Sequence, residues 1–535
     1  MQQALGDSRG YLDWAARLAD GDWYGTETFY QAPLYPYFLG VLIALGGPNL
    51  AWIRIVQAIL GACCAGLIGG AARRLFDAPT GIAAAMMMAL YGPAIYYDGI
   101  IQKASLSTFL LSLLIYVLAI IVSCGTITLI RKIILAAAAG AALGLLCLTR
   151  ENALLWIPLI PAWIWWIRTD QNRIDTVKTI GGFGVGLALV LVPVAARNAS
   201  LGGEWSPTTF QSGPNFYIGN GLQATGVYQP LVPGHESPDF ERADAQALAE
   251  YFSGRPLSAR EVSKYWSTRA LAEIAEQPGQ WLLLTCRKLL MTVNYYEVPD
   301  VESPYIHKFW STPIRLLLNF WGFGLLLPTA VAGIYLAAPK FNRIWIFPAL
   351  ALTMAIAVAA FFILGRYRLP LAPLMIPYAA FAVTHFRQIA DKRKRYIACS
   401  LFMASLAIAY LPVHDVRDLN ASSYMNTGIA YGRAGDAVQS QRWIADSIAL
   451  RGETAMGLYN LAGAQLLAGD QQSAIESLEK ARQLDQSFIE VELQLGRLFE
   501  QQGNPQRALL HYRSALQINP NDPEANSRIQ FIESK

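Results

Sequence analysis

Ten stretches of this chain read as membrane crossings, and no other feature narrows its possible folds so far. They are residues 50–72, 79–96, 105–123, 133–149, 153–167, 179–197, 314–337, 344–364, 369–385 and 396–413. A helix of roughly 17 to 25 apolar residues spans the hydrocarbon core, where backbone polar groups must be satisfied within the protein. Composition agrees: 54% of residues are hydrophobic and 15% charged, with a mean hydropathy of +0.31. That is too apolar for an ordinary soluble chain of 535 residues. The expected class is an all-α polytopic membrane protein. Two further segments suit interfacial or re-entrant helices: LYPYFLGVLIALGG, residues 34–47, and WLLLTCRKLLMTVNYY from Trp281, which sets Arg287 and Lys288 on an apolar body.

The net charge of +4 gives no case for a nucleic-acid partner. Cys63, Cys64, Cys124, Cys147, Cys286 and Cys399 form no CxxC pair and read as small core hydrophobes. The five histidines are scattered, so no zinc cluster is expected. Residues 1–30 are polar and mixed in charge, unlike a signal peptide, which leaves insertion to the internal helices.

Alternating the spans gives two sets of loops. One carries fourteen basic residues: Arg73, Arg74, Arg131, Lys132, Arg168, Arg173, Lys178, Lys340, Arg343, Arg387, Lys392, Arg393, Lys394 and Arg395. The opposite short loops carry four: Lys103, Arg150, Arg366 and Arg368. By the positive-inside rule the first set is cytoplasmic, and the insert 198–313, the amino-terminal segment and everything after about 413 face outward. Asp7, Asp98 and Glu151 fall on that outer side with the four cations. A lone arginine there would be read as snorkelling. Four cations with three carboxylates read instead as a shared polar cavity, suited to an anionic phosphate ligand beside a general base.

After residue 413 the pattern changes. Gly435, Gly469 and Gly503 recur every 34 residues, as do Gly428, Ala462 and Gly496, and Ala474 and Ala481 recur as Ala508 and Ala515. That is the tetratricopeptide period, expected over residues 420–535 with a weaker repeat at 421–454. Stacked helix pairs of this kind dock protein partners. Within the insert, Ser258 to Glu261 reads as a capping box opening an amphipathic helix, with Val262, Trp266, Ala270 and Ile274 as its packing stripe.

Seven stretches, in order, carry a resemblance: DSRGYLDWAARLADGDW with APLYPYFLGVLIALGG, YGPAIYYDGIIQKASLSTFLL, LTRENALLWIPL, GPNFYIGNGLQATGVY, ALAEIAEQPGQWLLLTCRKLLMTVNYYEVPD and GRYRLPLAPLMIPYAA. Over most of residues 7–385 the chain resembles the membrane glycosyltransferases of the C-type fold, the group of protein O-mannosyltransferases and lipid A aminoarabinose transferases, and especially bacterial members ending in tetratricopeptide repeats. The resemblance implies a membrane transferase domain over 1–413, with the periplasmic insert 198–313, in the bacterial inner membrane. It implies transfer of a sugar from a polyprenyl phosphate to a hydroxyl of a glycan, lipid or protein, with inversion at the anomeric carbon.

The resemblance also distributes roles. Asp7 takes the place of the acidic base, with helix N-capping of residues 8–20 as its alternative. Asp13, Asp20, Asp22 and Glu27 are weaker rivals that read as solvated. Asp98 would orient the acceptor or base and Lys103 meet the donor phosphate, unless the two simply pair. Arg150 and Glu151 are cavity-lining candidates too close in sequence to pair only with each other. Arg366 and Arg368 are assigned to the departing phosphate. Tyr217 and Asn220, in the turn-rich NFYIGNG, are candidates for sugar or phosphate binding beside a purely structural turn, and Glu297 matches the family pattern without a defined role. Relatives of this kind bind a divalent ion in some cases, so a metal is an open expectation. The relatives also begin with a transmembrane helix ahead of the acidic loop, whereas six residues precede Asp7; either the start is misassigned or the protein manages without that span. Two rival functions stand beside transfer: a non-catalytic assembly protein built on the repeats, and a lipid-linked-glycan ligase or flippase.

Overall fold

A computed structural model of the chain describes residues 6–123, 127–167, 173–202, 205–232 and 238–534. Cys124 and Arg168 lie outside these residues. The described residues form helices joined by short turns, with no strand among them. Five helical segments are long and apolar enough to cross a membrane: Leu50–Leu75, Ala104–Ser123, Leu129–Cys147, Arg173–Ser200 and Thr312–Leu336. Two bent pairs, Ala78–Ala89 with Gly92–Gly99 and Ala338–Ile344 with Ile346–Ala359, raise the number to seven. The chain is a multi-pass membrane protein.

Several expected crossings are broken, each for a local reason. Residues 153–167 give a short 3-10 turn and then the 11-residue helix Trp156–Trp166, punctuated by Pro158 and Pro161. The run 314–337 breaks at Trp321 and Gly322, where the Trp321 indole donates to Met87 O at 2.8 Å. The half before the break, Thr312–Phe320, has no buried residue. Leu371–His385 is instead enclosed by protein along most of its length.

Small residues let the spans approach. Gly140 and Gly144 of Leu129–Cys147 lie against Phe183, Leu187 and Val190 of Arg173–Ser200, whose Gly182 and Gly186 lie against Ile133 and Ala137, and at Gly140 and Gly186 the partner's backbone leaves no room for a Cβ. In lipid, where apolar side chains gain little from meeting each other, such close backbone packing is what holds helices together. The cysteine reading holds only in part: Cys64 and Cys147 are buried, but Cys63, Cys286 and Cys399 are exposed on the helix surfaces.

In the insert, Ser258 caps Ala259–Glu276 with both reciprocal bonds of a capping box, and Val262, Trp266 and Ala270 are buried. Val262 and Trp266 cluster with Ala245 and Ala249 of the helix Pro238–Ser253, and the Trp266 indole donates to Ala245 O at 2.9 Å. Ile274 is only half-buried.

The carboxyl-terminal array consists of the helix pairs Val416–Arg433 with Ala437–Arg451, Ala455–Leu467 with Gln471–Leu484, and Ile489–Gln501 with Pro505–Ile518, followed by Pro523–Glu533. Gly435, Gly469 and Gly503 have φ of 83°, 82° and 71°, a left-handed turn open to glycine at little cost. Next to each, Asp436, Asp470 or Asn504 caps the following helix. Gly428 and Gly496 recur because Ile444 and Tyr512 press against them, at 2.5 and 2.6 Å from where a Cβ would stand.

Candidate active site

Three segments far apart in sequence meet around Arg366. Its Nη1 donates to Asp7 Oδ2 at 2.5 Å and also lies 2.8 Å from Asp300 Oδ2, with the guanidinium almost wholly shielded from solvent. Arg366 sits on the single turn Gly365–Arg368. A Cβ at Gly365 would stand 2.8 Å from the Tyr97 hydroxyl oxygen, so glycine permits this turn to lie against the loop before Lys103. The turn is held by Gly365 N–H donating to Val298 O at 2.8 Å, which places it against the segment carrying Asp300.

Asp7 is the first residue of the helix Asp7–Ala19, and Gly6 occupies the cap position. Its carboxylate makes no capping bond, so the capping alternative fails; Arg366 takes that oxygen instead. The neighbouring Ser8 donates to Ile101 O at 2.8 Å and ties this helix to the Lys103 loop. The same loop is fixed from behind by Gln57, which donates to Asp98 O at 2.9 Å and Ile100 O at 2.8 Å. Asp13, Asp20, Asp22 and Glu27 are exposed, as expected.

Lys103 is buried within electrostatic reach of Glu151, Arg366, Arg150 and Asp7. Its carbonyl accepts from Ser107 N at 3.0 Å, but its ammonium makes no ion pair or hydrogen bond among the described residues. Arg150 is buried too; it donates to Ser107 Oγ at 3.0 Å and to the Arg366 carbonyl, with its guanidinium carbon 5.9 Å from the Tyr367 ring. Glu151 turns elsewhere and accepts from Thr209 Oγ1 at 2.9 Å. Arg150 and Glu151 do not pair, as their adjacency implied.

Burial works against the charge on both carboxylates of the Arg366 pair. At Asp7 the Arg366 guanidinium, reinforced by Lys103 and Gln102, outweighs it and holds the carboxyl below the usual range. At Asp300 burial prevails, with the nearby Asp7 charge adding to it, and the carboxyl is raised. Two acids sharing one cation thus have opposite proton affinities.

Five expected site residues, Arg368, Glu297, Tyr217, Asn220 and Asp98, are placed elsewhere. Arg368 lies two residues from Arg366, and on a helical turn such positions project roughly 200° apart. It is fully buried against Glu297, at 3.1 Å from Nε and 2.8 Å from Nη2, and also donates to Asn294 O. Thr292 O and Tyr295 O, at 3.4 and 3.5 Å, take the remaining donors, leaving none for a phosphate, so Arg368 and Glu297 form a structural clamp. Removing one partner of a buried pair strands the other charge at a cost of about 3–5 kcal/mol. Arg368→Met is therefore expected to lower the yield and melting temperature of the folded protein, and Arg368→Met with Glu297→Leu to recover part of both, as thermal unfolding in detergent would register.

Tyr217 and Asn220 are likewise structural. They lie on a helix, Ser212–Asn220, not in a turn. Tyr217 donates to Glu273 at 3.1 Å, while Asn220 bridges Ala360 O, the Trp281 indole and the Lys288 ammonium. Lys288 faces the protein interior rather than an interface and is fully buried.

Asp98 is the remaining displaced residue. It does not pair with Lys103; its carboxylate lies against Gly61 and lines a cavity of about 520 Å³ with Arg54, Cys64 and Thr108, a lining that does not include Arg366. It therefore stands outside the Arg366 cluster.

Two acids of the cluster went unnoticed in the sequence. Asp300 ends the quoted EVPD, and its position after Pro299 beside an already suspect glutamate was the available signal. Glu241 lies in the insert, on Pro238–Ser253, near Asp7, Lys103, Arg366 and Asp300; burial, aided by Asp7, raises its carboxyl to about 7. A group bound more tightly to its proton in the folded state contributes stability that is full below the usual glutamate range and is lost as pH rises through about 7. Glu241→Gln is expected to leave the melting temperature unchanged near about pH 5 and raise it near about pH 8. Parallel pH profiles for the two proteins would contradict this.

A divalent ion does not fit this arrangement. The space between Asp7 and Asp300 is filled by the Arg366 guanidinium, and among the described residues no three of His, Cys, Asp and Glu gather to hold a metal.

Residues 30–196 match the family described as dolichyl-phosphate-mannose-protein mannosyltransferase, and residues 489–529 match a tetratricopeptide repeat. The chain is thus similar, over its first membrane helices, to the dolichyl-phosphate-mannose-protein mannosyltransferases and, near its carboxyl end, to tetratricopeptide repeats. Among solved structures, ArnT from Cupriavidus metallidurans bound to undecaprenyl phosphate is 13% identical over 93% of this chain and 77% of its own, with a TM-score of 0.42. Archaeal oligosaccharyltransferase AglB from Archaeoglobus fulgidus, in complex with an inhibitory peptide and a dolichol-phosphate, is 16% identical over 82% of this chain and 56% of its own, with a TM-score of 0.38. No curated protein matches the chain. The segment matched by the mannosyltransferase family contains Lys103, Arg150 and Glu151, whereas Asp7, Asp300 and Arg366 lie outside it and meet it through folding.

Proposed function

We propose that this glycosyltransferase moves a sugar from a polyprenyl monophosphate to an acceptor hydroxyl, with inversion, on the outer side of a bacterial inner membrane. The observation that carries the reading is the state of Arg366. Its Nη1 is occupied by Asp7 and Asp300, but its buried Nε has no partner. A buried, unsatisfied guanidinium donor is costly unless a ligand oxygen meets it. With Lys103 within electrostatic reach, this unpaired donor suits a phosphate oxygen. The matched family, described by a dolichyl-phosphate sugar, supports the same donor class.

Asp7, kept ionised by Arg366, takes the acceptor's proton as the hydroxyl oxygen bonds to the anomeric carbon. The bond from that carbon to the phosphate oxygen breaks on the opposite face, and the polyprenyl phosphate leaves with the electron pair. Lys103 and Arg366 meet its growing charge, and Arg150 holds the Arg366 backbone in place. Asp98 and Arg368, first assigned to this step, have no part in it. The membrane domain corresponds to residues 1–413, including the periplasmic insert 198–313, and the repeats over 420–535 face the same side as the site and take a protein partner.

The test is turnover. The purified full chain, given a synthetic polyprenyl-monophosphate sugar and an acceptor extract, is expected to release polyprenyl phosphate and glycosylated acceptor. Turnover confined to a diphosphate-linked glycan would favour a ligase, and none with either donor would favour an assembly protein.

A further inference from the structure

Asp300 is carried by residues 293–303, which contain no helix, so something outside the segment must hold its carboxylate on Arg366. Much of that support comes from the tetratricopeptide end of the chain. Asn294 Nδ2 donates to Leu411 O at 2.7 Å just before the array. The Tyr296 hydroxyl donates to Asn420 Oδ1 at 3.1 Å, and Asn426 Nδ2 donates to Val301 O at 3.4 Å. Asn420 and Asn426 both belong to the first repeat helix, Val416–Arg433. Val301, next to Asp300, is also pressed against the turn that carries Asp7: a Cβ at Gly6 would stand 2.6 Å from Val301 Cγ2. The second helix of the repeat adds Trp443, whose ring lies 5.9 Å from Phe309 and 6.2 Å from Trp310.

From this placement we infer that the first repeat is part of the active-site wall, and that Asn420 and Asn426 are positioning residues that hold Asp300 on Arg366. The inference rests on the function proposed above. The repeats then do more than recruit a partner, because the first of them fixes one of the two carboxylates that set the charge and orientation of Arg366. A displacement of about 1 Å in such a group is enough to cost on the order of 10²-fold in rate.

The experiment is a double-mutant cycle on the full chain, using Asn426→Ala, Asp300→Asn and the pair, with kcat and KM measured for a polyprenyl-monophosphate sugar. Asn426→Ala is expected to lower kcat roughly tenfold with donor KM changed less than about twofold, and to cause no further loss once Asp300 is Asn. An unchanged kcat, or losses that multiply independently, overturns the inference. Tyr296→Phe, which removes only the hydroxyl bonded to Asn420, runs the same cycle if Asn426→Ala does not yield folded protein. A wild-type chain without transfer activity overturns the functional reading and this inference with it, whereas an active wild type with independent losses overturns the inference alone.

Discussion

Asp7→Asn is expected to lower kcat by roughly 10³-fold while the protein still folds and binds donor, because positioned proton transfer contributes ~10²–10⁴-fold. The substitution is nearly isosteric and leaves Arg366 paired with Asp300, so no cation is stranded. What disappears is the only carboxylate in the cluster held ionised below the usual range. The wild-type rate should accordingly hold steady from neutral pH through mild acid and fall only as Asp7 itself takes a proton. Steady-state release of polyprenyl phosphate, with a binding measurement on the same variant, separates the outcomes. A fall in rate matched by a fall in donor affinity would mean that Asp7 only holds Arg366. An unchanged rate would remove Asp7 from the reaction.

The second large effect is on stability as well as rate. Arg366→Met leaves Asp7 and Asp300 facing each other in a water-poor pocket without their shared cation, and breaking such a buried pair costs about 3–5 kcal/mol. Both acids are largely shielded from solvent, so the full range applies. We expect a lowered melting temperature and no detectable turnover. Adding Asp300→Asn should recover much of the stability, since one carboxylate is then neutral, yet none of the turnover. Arg366→Lys is expected to fold but react slowly, because a single ammonium can meet the two carboxylates that Nη1 holds but has no second nitrogen to present as Nε does. If Arg366→Met melted like wild type, the pairing of the three residues would contribute nothing to the fold.

How far the site could be read from sequence differs residue by residue. Lys103, Arg150 and Arg366 were identifiable because a charge beside a long apolar run is conspicuous, whereas Asp7, in a polar segment, was marked by the family resemblance. Arg368 was equally conspicuous and was misassigned, since the projection of a side chain from a single turn depends on where that turn lies. Asp98 failed for the same reason: Gln57 fixes the loop so that Lys103 lies within electrostatic reach of Arg366 while Asp98 lies against Gly61 in a cavity that does not include it. Glu241 sits in a polar segment, where one more carboxylate carries no signal, and Asp300 is marked only by its place beside Glu297 in EVPD.

What the sequence determined alone is the set of properties written in local pattern: a membrane chain, helical throughout its described parts, closing with repeats whose glycines mark each turn. Apolar length and a fixed period act over neighbouring residues, so they need no tertiary partner to be legible. The tertiary structure decided which charges meet. Asp7 and Arg366 are 359 residues apart, and their contact follows from the packing of the amino-terminal helix, the Asp300 segment and the first repeat, each of which limits where the others can sit. Coulombic attraction acts through distance in space, which spacing along a chain does not encode.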